Sequence, residues 1–131
     1  MTSPEPPPAV ADDELLARFI LFSAWYRKDQ TLKSDCFIPH PYPDLSVTRH
    51  WRLSESALWQ IGQATASARP ATLYGRADLK ATEVRRQRLQ VDGAPLPENL
   101  NHANITGWPA DKPAQKIIVM ELAAATFLAR E

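Results

Sequence analysis

The chain of 131 residues has a single cysteine, Cys36, which excludes an internal disulfide and any zinc site built from several thiolates. One cysteine fits a reducing, cytoplasmic setting, and its place beside Phe37 reads as a small buried apolar residue. Glycine is also scarce. Four scattered glycines build no phosphate-cradling loop, and no Gly-x-Ser-x-Gly elbow occurs. An excess of one charge is missing too: fifteen Lys and Arg balance fifteen Asp and Glu, which removes whole-molecule attraction to nucleic acid or anionic lipid. Long apolar runs are absent. IIVMELAAATFLA, residues 117–129, is thirteen residues long with Glu121 inside it, too short to cross a bilayer. The start, MTSPEPPPAVADDE, lacks the basic and apolar stretches of a secretory signal, so a soluble cytoplasmic protein with no membrane contact is expected. Metal-ligand spacing is lacking as well. His40, His50 and His102 form no i, i+4 pair with one another, and neither a metal nor a cofactor is expected.

What is present is ordinary globular material, 44% apolar and 23% charged, enough for one core. Residues 1–11, with four prolines among the first eight, read as a disordered tail before a single domain over residues 12–131. Asp12 suggests a short helical turn, followed by a strand near Phe19–Tyr26. SDCFIP reads as a short strand stopped by PHPYP, a stiff loop. DLSVTRHW alternates Leu45, Val47, Arg49 and Trp51 against Ser46, Thr48 and His50, which is a strand with an arginine on its apolar face. SESALWQIGQATASAR is a helix capped by Ser54 and ended by Pro70. ATLYG reads as extended, RADLKATEVRRQR as a helix, LQVDG as a strand, and Ala103–Trp108 as another. The last helix is capped by Asp111 with Pro113 in its first turn, and its nearly all-round apolar surface predicts a central position. Short strands interleaved with about three helices predict a compact α+β domain of two layers.

Chemistry-bearing positions are few. Arg69, Arg76, Lys80, Arg85, Arg86 and Arg88 flank or ride one predicted helix, so residues 69–88 offer a surface for nucleic acid or an acidic partner. Arginines in a last helical turn are equally explained by the macrodipole. His50, His102 and Arg49 together supply the base, acid and cation that a metal-independent nuclease requires. The stretch PENLNHANITGWPADKPAQK, residues 97–116, holds Asn99, Asn101 and Asn104, whose side chains stabilise irregular turns, and Gly107 and Trp108. Arg49 on an inward strand position needs acceptors. The asparagine amides are the expected ones, which would gather Arg49, His50, His102 and Trp108 on one face. The binding candidates are therefore Arg49, His102, Asn104, Trp108, Arg76, Arg85 and Arg86.

DLSVTRH together with APLPENLNHANITGWP resembles a pattern in small bacterial proteins of no assigned function, with a Leu-Ser-Val-x-Arg segment ahead of a Pro-x-Pro and a His-Ala pair. The resemblance covers Leu45 to Arg49 and Pro95 to Ala103, and implies a discrete small domain without implying a reaction. Four tryptophans exceed what a core this size needs, and Trp with Arg is the composition of interface hot spots. The sequence thus points to a non-catalytic interaction subunit or regulator with a protein partner in a larger bacterial assembly. The alternative is a small nuclease or nucleotide-acting enzyme using His50 and His102.

Overall fold

The computed structural model describes residues 9–39 and 44–131. Most of the proline-rich tail, together with His40 and residues 41–43 of the stiff loop expected at 39–43, lies outside the described residues. In chain order the elements are β1 (Leu15–Ile20), β2 (Leu45–Arg49), α1 (Glu55–Ala68), β3 (Gly75–Lys80), α2 (Ala81–Arg86), β4 (Gln90–Gly93), β5 (His102–Thr106), α3 (Lys112–Ala124) and β6 (Phe127–Ala129). The strands form one antiparallel sheet in the order β4-β5-β2-β1-β3-β6. This is the α+β class with the three helices that the sequence predicts.

Period-two alternation sorts the strand residues onto two faces. Leu16, Arg49 and Leu79 stand opposite one another in the β2-β1-β3 ladders, as do Ile105, Leu45 and Val91 in β5, β2 and β4. That face carries the larger core, with Val84 of α2, Val119 and Leu122 of α3, and Cys36 and Phe37 from the 3-10 turn Ser34–Phe37. The opposite face holds Ala17 and Phe19 of β1 with Leu58 and Ala66 of α1. Helices therefore flank the sheet on both sides, where the sequence suggested two layers. Gly62 allows the close approach of α1: a Cβ there would stand 2.8 Å from the Phe19 ring.

Several local readings change. RADLKATEVRRQR splits into β3 and α2, because Ala77 and Leu79 alternate with Arg76, Asp78 and Lys80 and six pairs to β1 capture that period. β1 begins at Leu15, and Asp12 belongs to a turn closed by Glu14 N–H to Ala11 O and by Ala11 N–H to the Glu14 carboxylate. SDCFIP is a 3-10 turn rather than a strand. Part of the expected tail is structured, since Val10 is buried in the core and Ala9 bridges Asp92. α3 is peripheral: Val119 and Leu122 are buried while Ile117 and Met120 are exposed. Thr126 follows α3, and the chain turns into β6 on the edge of β3. Among the described residues no helix is long and apolar enough to cross a membrane.

Candidate functional site

Arg49 is 1% exposed, and its charge is met by Glu14. Nε donates to Glu14 Oε1 at 3.1 Å, and Nη2 donates to both carboxylate oxygens at 2.7 and 3.0 Å. The asparagine loop serves Arg49 through its backbone instead. Asn101 Nδ2 donates to the Arg49 and Trp51 carbonyls at 2.8 and 2.7 Å, and Asn101 O accepts from Arg49 N–H. The expected amide cage around the guanidinium is replaced because a carboxylate binds it bidentately and neutralises it. The guanidinium groups of Arg49 and Arg52 both lie near the Trp51 ring, 5.9 and 4.6 Å from its centroid.

His50 follows the last β2 residue and turns to the α1 face, where its Nε2 lies 3.0 Å from Asp78 Oδ1. Asp78 also accepts from Arg76 Nε, and the two Nη groups of Arg76 donate to the Glu55 carboxylate, each at 2.9 Å. Arg76 stacks on Trp59 of α1 with its Cζ 4.6 Å from the ring centroid. Burial pulls the Arg76 pKa down, but the hydrogen bonds to Glu55 and Asp78 outweigh it and leave the value raised. The same Arg76 hydrogen bonds hold the Glu55 carboxyl below its ordinary value. This network clamps the start of α1 to β3.

His102 stands opposite Thr48 in the β2-β5 ladder, whereas Arg49 stands opposite Leu16. Their side chains therefore leave opposite faces of the sheet. Along the row His102, Thr48, Ala17, Asp78, three strand spacings of about 4.8 Å put His102 about 14 Å from Asp78, the partner of His50. The structure does not unite His50 and His102 into an acid–base pair. Trp108 turns away as well: it packs against the larger core, and its indole N–H donates to Ile105 O at 3.0 Å. Asn104 is partly buried between Ser46 and Asp92 in the ladders.

Three of the six residues of the predicted basic surface are neutralised. Arg76 is buried in its network, Arg85 pairs with Asp12, and Arg86 pairs with Glu83. Among the described residues no group of three or more His, Cys, Asp or Glu converges for a metal ion.

His102 instead lines a cleft of about 390 Å³, floored by β1, β2 and β5 and walled by α1 and the 96–99 turn. That turn has Pro97 at the second position, favoured by its fixed φ, and Leu96 and Asn99 exchange both backbone hydrogen bonds. Asn99 Nδ2 donates to Thr48 Oγ1 at 3.0 Å and pins the turn to β2. The cleft exists because β1 and β2 pair at only two positions, Leu16–Arg49 and Ala17–Thr48. Beyond them Arg18 Nη1 donates to Ser46 O of β2 and Nε to Cys36 O of the Ser34–Phe37 turn, both at 3.0 Å. Its Cζ sits 5.4 Å from the Trp25 ring centroid. Arg18 escaped the sequence reading, although an arginine inside LLARFIL was a visible signal.

A second depression, of about 670 Å³, lies between the 27–34 hairpin and the α3–β6 junction. Met120, Ala123, Phe127 and Leu128 give it an apolar wall, and Arg27 and Lys116 are the charged residues that line it. Phe127 is 76% exposed and Met120 55%. β6 is an edge strand, whereas the opposite edge, β4, is bridged by Ala9.

No protein-family model matches the chain, and no curated protein or solved structure matches it.

Proposed function

We propose that the chain is a non-catalytic interaction module, a subunit or regulator of a larger assembly, which docks a protein partner at the α3–β6 groove. One observation carries this reading: the edge strand β6 borders an apolar groove that includes the most exposed large hydrophobic residue, Phe127. An edge strand beside exposed apolar side chains is a template for an added strand. The partner segment that fits is extended and apolar with flanking carboxylates, since Arg27 and Lys116 line the groove and no acidic side chain does. The nuclease reading draws less support, because His50 and His102 have separate partners.

The test replaces Met120 and Phe127 together by Asp. Partner capture from the native host is expected to fall to background while the thermal midpoint is unchanged, since both side chains are exposed. Equal capture by this variant would remove the groove from the reading. RNA cleavage by the pure protein that His102→Ala abolishes would put the enzyme first.

A further inference from the structure

We propose that the cleft between α1 and the 96–99 turn binds a small molecule bearing one carboxylate on an apolar body, the carboxylate being received by Arg18 and Arg69. This site lies apart from the α3–β6 groove and does not depend on the interaction reading.

The first support is an unspent cation. Arg18 is only partly exposed, and among the described residues it forms no ion pair. Its hydrogen bonds go to two backbone carbonyls through Nε and Nη1, and Nη2, with two further N–H donors, makes none among the described residues. No side-chain nitrogen or oxygen is both buried and unpartnered among the described residues. Nη2 is therefore not shut off from solvent, and Arg18 is among the residues that line this cleft. Burial holds the Arg18 pKa below its ordinary value; Cys36 opposes this and Arg69 adds to it. A cation in a desolvated position next to a second cation is unfavourable until an anion joins them. Arg69, at the C-cap of α1, lines the same cleft and forms no ion pair among the described residues either.

The second support is the rest of the lining. Leu21, Trp25, Ile61, Ala64 and Leu96 are apolar, and the volume suits a small ligand. Glu98 also lines the cleft, and the C-terminal end of α1 adds partial negative charge. Both disfavour a dianion, which selects a carboxylate over a phosphate. The third support is His102. A carbonyl only accepts, so Nδ1 donates to Ala94 O at 2.9 Å and the neutral ring presents the Nε2 lone pair. Among the described residues Nε2 makes no hydrogen bond, and it is not buried, so it is available to a hydroxyl or amide N–H on the ligand.

Calorimetric titration with octanoate, octanamide and inorganic phosphate tests the proposal. Octanoate is expected to bind about tenfold more tightly than octanamide, the scale of a charge-assisted hydrogen bond. Phosphate should bind more weakly than octanoate. Arg69→Gln, at an exposed position, should weaken octanoate binding about threefold or more without changing the thermal midpoint. The Met120→Asp, Phe127→Asp variant should bind octanoate as the parent does. Equal affinity for octanamide, phosphate binding as tight as octanoate, no octanoate binding, or binding lost in the groove variant and kept in Arg69→Gln would each overturn the proposal.

Discussion

Thr48 and His102 stand opposite each other in the β2-β5 ladder, and this one pairing sends the neighbouring Arg49 to the other face of the sheet. Side chains that are adjacent along the backbone thereby serve two environments. Arg49 closes the larger core with Glu14, while Thr48 lines the open cleft beside His102.

The Arg49–Glu14 pair is bidentate, with Arg49 buried and Glu14 partly buried, so removing either residue deletes a desolvated ion pair. Arg49→Ala or Glu14→Gln should each destabilise by about 3 kcal/mol in denaturant unfolding. The double variant Arg49→Met, Glu14→Leu should lose clearly less than the sum, because neither charge is left unpaired. Additive losses would show that the two residues act independently.

Gly62 brings α1 onto β1, with the position of its missing Cβ 2.8 Å from the Phe19 ring and 3.1 Å from Leu73. Alanine would gain about 1 kcal/mol in helix propensity, but the overpacked ring and backbone shift cost about 1–3 kcal/mol. Gly62→Ala is expected to lower the thermal midpoint, and a raised midpoint would show that Phe19 moves freely.

Glu55 gives a pH dependence whose sign follows from its lowered pKa. The unfolded carboxyl binds protons more readily than the folded one. The contribution is therefore complete above the ordinary glutamate value of about 4.3, and it is lost as pH falls through the lower folded value. Glu55 is 71% exposed, so screening keeps the effect below about 1 kcal/mol. Glu55→Gln should flatten the slope of stability against pH below about 4.3, measured by urea unfolding.

Cys36 is fully buried, and burial pushes its thiol up to about 12 despite the nearby Arg18. A thiol reagent at about pH 8 should leave the native protein unlabelled, and full labelling should follow denaturation. Rapid labelling of the native chain would mean that the Ser34–Phe37 turn opens readily.

Some of this was legible in the amino-acid order. Ser54 caps α1 through Ala57 N–H and Asp111 caps α3 through Ala114 N–H, as expected, and alternation in LSVTR marks β2. Trp51 and Trp59 carried the interface argument, yet both stack under arginines of the same chain. The exposed apolar residues Ile117, Met120 and Phe127 sit in a run whose sequence reads as buried helix.

The sequence by itself determined the class, the two capped helices, the β2 strand and the need of Arg49 for a partner. These depend on spacings within one element and on the cost of an unpaired charge, which neighbours encode. Tertiary structure decided which partner that was, since Glu14 lies thirty-five positions away. It also decided the split of residues 76–88 into strand and helix, the outward position of α3, and the cleft where Arg18 meets β2. Each depends on ladder register, and register is set by which faces can be buried together across the whole chain, a choice that no single segment contains.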